Sequence, residues 1–169
     1  MKKQKPMTLE RLLSRSYGNE SLTFWGGGPR GLTLEDVRRY LDEGGDVNGR
    51  FESGDTLLIN AASNLEIEIA RLLIARGADV NAKGSCGYTP LHHAVDMECN
   101  TQSREDYSRA TELPLTQVLI GAGADETLRD LDNKTARDYA VAYGEAETRL
   151  YDSLPRKQSG GTKPLPHER

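Results

Sequence analysis

The sequence predicts an all-α solenoid of about four helix–turn–helix repeats with short hairpin loops, an insertion in the third repeat and a long loop in the first. Three observations carry this prediction. Gly45-Asp46-Val47-Asn48 recurs as Gly77-Ala78-Asp79-Val80-Asn81 and as Gly123-Ala124-Asp125-Glu126-Thr127, so that Asp46, Asp79 and Asp125 stand 33 and 46 residues apart. A second ladder takes the same two steps: Thr56 opens TLLINAA, Thr89 opens TPLHHAV and Thr135 opens TARDYAV. Between the two ladders the clearest copy, Leu65–Arg76, places Ile67, Ala70, Leu72, Leu73 and Ile74 on one broad helical face. Self-similarity at a fixed period marks a repeat array. The unit is 33 residues, and the third copy holds an insertion of 13.

Each element follows in order. Thr8–Tyr17 is a charged amphipathic stretch that suits the first helix of the first repeat, with Gly18–Leu32 looped out behind it. Thr33 with Asp36 is placed to cap the helix Leu34–Glu43. Thr56, Thr89 and Thr135 each follow a turn and precede a helical pattern, as N-caps should. Pro90 takes a first helical position, where its missing N–H has no partner to lose. Small pairs such as Ala61-Ala62 let a second helix approach closely, and Gly77 stops that second helix. A turn with Asn81, Gly84 and Gly87 leads into the next copy. The insertion, roughly Glu98–Leu113, is strongly polar and separates the two helices of the third repeat, open to a loop that contacts a partner or to a helical extension with no role; Glu145–Leu154 forms a short last helix. Such units cannot bury their apolar faces alone and must stack. The expected repeats run over about 8–47, 48–80, 81–126 and 127–154, between a flexible 1–7 and a disordered tail, 155–169.

Composition bounds the function. Hydrophobic residues make up 36% of the 169 and charged residues 28%, enough for a thin core with a large surface. Two cysteines are too few for a disulfide scaffold, and no run approaches the roughly 18 apolar residues of a membrane span. The basic start leads into a charged stretch rather than an apolar signal segment, so a cytoplasmic location is expected. Residues 1–30 carry a net +4 and residues 155–169 a net +3, which leaves −11 on residues 31–154. A middle of that sign repels phosphate backbones and attracts basic partners.

No Ser/His/Asp spacing, P-loop or dinucleotide motif stands out, and Gly26-Gly27-Gly28 lacks the lysine a phosphate cradle needs. Cys86, His92, His93 and Cys99 lie within 14 residues and admit a zinc-dependent enzyme as a remote alternative. Adjacent histidines on one helix, however, point about 100° apart, and zinc prefers two spaced pairs. No catalytic residue, cofactor or metal ligand is assigned.

The stretch Arg76–Val95, RGADVNAKGSCGYTPLHHAV, resembles the ankyrin-repeat consensus over nearly its whole length, and the resemblance extends over roughly residues 34–154. It implies a structural His92 bonded to the hairpin backbone. The last unit departs from the pattern, with Arg137 at an expected leucine and Asn133 at an expected glycine, which suits a terminal cap with a wetter outer face. The resemblance also implies a concave binding face of hairpin tips and first helices. By position this offers Glu52, Ser53 and Asp55, then Ser63 and Asn64, from the second repeat. The third contributes Ser85, Cys86 and Tyr88, then Asp96 and Met97; the fourth contributes Leu131, Asp132 and Lys134, then Ala142 and Tyr143. Asn60, His93 and Tyr139 share one register in three repeats and are open to packing or to contact, as are Tyr88 and Tyr143. Trp25 either seals the N-terminal end of the stack or protrudes as an anchor.

Glu52, Asp55, Asp96 and Asp132 outweigh Lys134 on this strip, which favours a basic protein partner over nucleic acid. The expected function is therefore that of a non-enzymatic binding module, monomeric when free. Its sharper form is a stoichiometric inhibitor or immunity protein that neutralises a basic toxin or enzyme. The alternatives are a scaffold or regulatory subunit, or a secreted effector that captures a host protein.

Overall fold

The computed structural model describes residue 9, residues 32–102 and residues 112–156. Among these residues the regular structure is α-helix apart from one short 3₁₀ turn and an isolated bridge between Arg50 and Thr56. The helices are α1 (Leu34–Asp42), α2 (Leu57–Ser63), α3 (Ile67–Ala75), α4 (Pro90–Gln102), α5 (Pro114–Ala122), α6 (Ala136–Tyr143) and α7 (Glu145–Ser153). They form two layers: α2, α4 and α6 pack side by side in one, while α1, α3 and α5 do so in the other. Each inner helix also packs on the outer helix that follows it, α2 on α3, α4 on α5 and α6 on α7. Of the expected first inner helix only Leu9 is described; it is helical and packs against the core.

The two sequence ladders reappear as one repeated set of bonds. Thr56 and Thr135 cap their helices by accepting from the N–H of Ile59 and Asp138, and the Thr33–Asp36 capping box is complete. Gly44, Gly77 and Gly123 close the outer helices with φ of +86°, +88° and +99°. That conformation lets Gly45, Ala78 and Ala124 donate back to the carbonyls of Tyr40, Leu73 and Leu119. Asp46, Asp79 and Asp125 then accept from the N–H of Asn48, Asn81 and Thr127.

Copies are tied to one another by the same residues. The Asn48 side chain accepts from the N–H of Asp79 at 2.8 Å, and Asn81 from that of Asp125 at 2.7 Å. Arg50 donates to the Lys83 carbonyl and Lys83 to the Arg129 carbonyl. Beneath these hairpins runs the core. Leu57, Leu58, Leu73, Leu91, Leu115 and Leu119 are each at most 1% exposed, and burying each contributes about 1.5–3 kcal/mol. Ala61, Ala94 and Ala140, at one register, are all fully buried, which is how the layers come close.

Three sequence expectations shift or sharpen. The second helix of repeat two starts at Ile67 rather than Leu65, because Leu65 sits in a left-handed turn with φ of +57°. The start of the insertion takes the helical-extension form: α4 runs on to Gln102, where the preceding repeat has already turned. Its end is anchored from that extension, since Glu98, 5% exposed, accepts from the N–H groups of Leu115 and Thr116 at the start of α5. Arg156, assigned from the sequence to the tail, is bound into the array instead. It pairs with Glu126 and donates to the carbonyls of Tyr151, Asp152 and Leu154 at the end of α7.

The outer face of the last repeat follows expectation. Arg137 and Val141 stand where the two preceding repeats bury Leu58 with Ala62, and Leu91 with Val95. Arg137 forms a two-pronged ion pair with Asp152 of α7, at 2.8 and 2.7 Å.

Candidate protein-binding face

Three hairpins and the three inner helices behind them present the face assigned from the sequence. The hairpins share one register: Phe51 N–H donates to Asp55, Gly84 to Tyr88 and Asp130 to Lys134. Their tight ends need positive φ, supplied by Gly54 (+89°), Gly87 (+75°) and, in the last copy, Asn133 (+62°). Asparagine tolerates that region better than other side chains do.

The structure places the residues assigned to this face in three environments, with Cys86, Lys134 and Ala142 among the exposed ones. Glu52, Ser53, Leu131 and Asp132 are exposed at hairpin tips. Ser63, Asn64, Ser85, Tyr88, His93, Asp96, Met97, Tyr139 and Tyr143 are half-buried along the inner helices and hairpin bases. Asp55 and Asn60 are buried, at 3% and 2% exposure, and Trp25 lies outside the described residues.

Burial corrects the reading of Asp55. Its carboxylate accepts from the Ser85 N–H at 2.8 Å, from the Ser85 hydroxyl at 2.9 Å and from the Ser53 hydroxyl at 2.9 Å. It fastens one hairpin to the next instead of facing outward. A Cβ at Gly84 would collide with that carboxylate, so the approach requires glycine. Asn60 likewise lies inside the stack, with an amide nitrogen that finds no partner. Asp96 is half-buried and accepts from the Tyr143 hydroxyl at 2.9 Å, across α4 and α6. The acidic strip is therefore narrower than the sequence implies: Glu52 and Asp132 are its exposed carboxylates.

The tyrosines are held by their neighbours. The Tyr139 hydroxyl donates to Asp130 at 2.6 Å and accepts from Tyr88, 2.5 Å away. Tyr88 also meets His93 edge-on at 5.1 Å and stacks on His92 at 5.7 Å, and the Lys134 ammonium lies 5.5 Å from the Tyr139 ring centre. Burial and the Asp130 bond push the Tyr139 hydroxyl well above the usual range. Asp130 is the organiser that sequence reasoning missed. It is 7% exposed and accepts from Asp132, Lys134 and Tyr139. Burial works against its charge, but those hydrogen bonds hold it below the usual carboxylate range. No spacing rule announces it, because its tyrosine partner lies beyond the turn.

His92 has the structural role that the resemblance implies. One ring nitrogen, Nε2, donates to the Lys134 carbonyl at 3.1 Å, which leaves Nδ1 to accept from the Thr89 hydroxyl at 2.8 Å. Burial lowers its pKa, and burial lowers that of His93 too, where Nε2 is enclosed without a partner. Cys86 is exposed at a hairpin tip, while Cys99 is fully buried, its thiol pushed up to about 12 mainly by desolvation. Cys86, His92, His93 and Cys99 are thus not brought together. Among the described residues no group of three or more His, Cys, Asp or Glu is placed to hold a metal ion. Nor is any helix among them long and apolar enough to cross a membrane.

Comparison with known proteins agrees with this geometry. The family described as ankyrin repeats (3 copies) matches residues 30–103. The mouse (Mus musculus) B-cell lymphoma 3 protein homolog is 31% identical over 136 residues, covering 78% of this chain and 26% of that protein. Protein fem-1 homolog A of Danio rerio is 34% identical over 76 residues, 45% of this chain and 12% of its own length. The human (Homo sapiens) 2-5A-dependent ribonuclease is 36% identical over 92 residues, 54% of this chain and 11% of that protein. The chain spans about a quarter or less of the length of these relatives.

Proposed function

From the chain's place in the ankyrin-repeat family, to which it belongs by its repeats and its relatives, we propose that it is a non-enzymatic module that binds a basic protein through its hairpin tips and inner helices. Ankyrin repeats mediate protein–protein interaction, and this array has the parts for it. Two layers of stacked helices hold three hairpins in a common register, and Glu52 and Asp132 stand exposed at their tips. The single observation that carries the choice of partner is charge: residues 31–154 hold a net −11, which speeds encounter with a cationic surface.

The sharper form is a stoichiometric inhibitor or immunity protein in the cytoplasm that neutralises a basic toxin or enzyme by covering it. Burial of Asp55 and the engagement of Asp96 leave steering to the array's overall charge and to the tips. The full chain used as bait in its native host should recover a basic protein, which loses its activity at one equivalent of added chain. Binding should also weaken steeply with salt. A partner that keeps full activity when saturated would instead make the chain a scaffold or regulatory subunit. That second reading is favoured by one observation: the matched relatives carry such repeats within much longer proteins.

A further inference from the structure

We infer that Leu131 is the apolar anchor of this interface and enters a hydrophobic socket whose rim carries lysine or arginine on the partner. The inference rests on the protein-binding reading above and adds the chemistry of the contact. Leu131 is 81% exposed. Val141, 48% exposed, is the other exposed large hydrophobic residue among those described, and it lies on the end face of the array rather than on the hairpin edge.

The hairpin has no use of its own for a leucine there. Glu52 and Ser85 occupy the same place in the two preceding hairpins, which close in the same register. Every bond that shapes the loop comes from backbone or from other side chains. The Leu131 N–H donates to the Cys86 carbonyl at 3.0 Å, and the Asn133 N–H to the Asp130 carbonyl at 3.2 Å. Asp132 and Lys134 donate their N–H groups to one Asp130 oxygen at 2.8 and 2.9 Å, and Arg129 donates to the Asn133 carbonyl at 2.7 Å. The Tyr139 hydroxyl fixes the other Asp130 oxygen.

The backbone that carries Leu131 is therefore set before any encounter, and its side chain alone is left in water. Docking such a group orders little that is not already ordered, which is what gives a preorganised contact its affinity. Singly exposed apolar side chains are ordinary on protein surfaces; what sets Leu131 apart is the fixed backbone that carries it. The sign of the rim follows from the net −11 of residues 31–154 and from Asp132, exposed beside Leu131; the exposed cations nearby are engaged within the array, Arg129 with the Asn133 carbonyl, Lys83 with the Arg129 carbonyl and Lys134 over the Tyr139 ring.

The test titrates the partner purified on wild-type chain against full-length variants. Because its side chain is mostly in water, Leu131→Ala should melt like the parent yet bind at least about tenfold more weakly. Leu131→Met should restore most of the affinity, Asp132→Lys should weaken binding and flatten its salt dependence, and Arg71→Ala on the outer layer should change nothing. Equal affinity for Leu131→Ala and parent overturns the anchor and leaves the protein-binding reading standing. Recovery of no partner at all overturns both. If sedimentation shows the parent dimerising and Leu131→Ala dispersing it, the socket belongs to a second copy of this chain and the foreign cationic partner is refuted.

Discussion

Replacing Asp55 separates a fastening role from a contact role. The carboxylate is 3% exposed and takes three hydrogen bonds from groups of its own and the next hairpin: the Ser85 N–H, the Ser85 hydroxyl and the Ser53 hydroxyl. Asp55→Ala leaves the Ser85 N–H without its acceptor and opens a gap at Gly84. Hydrogen bonds to a charged group are worth about 1.5–3 kcal/mol each, and part of that loss is recovered where water reaches the freed hydroxyls. The expected cost is about 2–4 kcal/mol, with Asp55→Asn near the lower end because one acceptor remains. Urea denaturation followed by circular dichroism reads it directly, as a lower midpoint with an unchanged slope. A loss below about 0.5 kcal/mol in Asp55→Ala would refute the fastening role. So would a variant of parental stability that binds its partner more weakly, which would return Asp55 to the contact surface.

Three further outcomes are expected. His92 and His93 have pKa values lowered by burial, so the unfolded chain takes up their protons first, and stability should fall as pH drops below about 6.5. Glu66 and Glu98, raised by burial, act in the opposite direction in the carboxylate range. His93→Leu should flatten the denaturation midpoint between pH 7.5 and 5.5 (about one unit either side of the histidine range), and a parallel curve would count against a buried neutral His93. The double change Arg137→Leu with Asp152→Leu removes the ion pair from the terminal face and restores the apolar pattern of the interior repeats. It should make the protein self-associate in sedimentation where the parent does not; a monomeric double variant would show that the pair does not keep that face closed. Finally, metal analysis of purified chain should find less than about a tenth of an equivalent of zinc, since the four Cys and His side chains do not converge.

Much of what the backbone demands locally was open to reading from the sequence, the left-handed turn at Leu65 being an exception. The left-handed positions at Gly44, Gly77 and Gly123, the threonine caps and the Asp–Asn turns are short-range requirements, and each left a residue type at a fixed step. Asn133 shows how tightly this holds, since the one copy without glycine uses a side chain that tolerates the same φ. The face itself was only partly legible. Position within the repeat located Glu52, Leu131 and Asp132 at exposed tips, but it also assigned Asp55 and Asn60, which the stack buries. Whether a tip carboxylate faces water depends on a serine 30 residues away, and no local pattern encodes that. The same holds for Tyr88, Tyr139 and Asp130, whose chain of hydrogen bonds joins two repeats. The Glu98 cap on α5 is a side-chain answer to an exposed helix end made possible only once α4 and α5 have packed, whereas Arg156 caps α7 from a few residues downstream and reaches across the fold only in its pairing with Glu126.

Hydrogen exchange of the complex against the free chain tests the central claim most directly. Bound partner should protect the hairpin segments around residues 50–55, 83–88 and 129–134 and the inner helices α2, α4 and α6. Protection confined to the outer helices α1, α3 and α5, with the hairpins exchanging as freely as before, would contradict it.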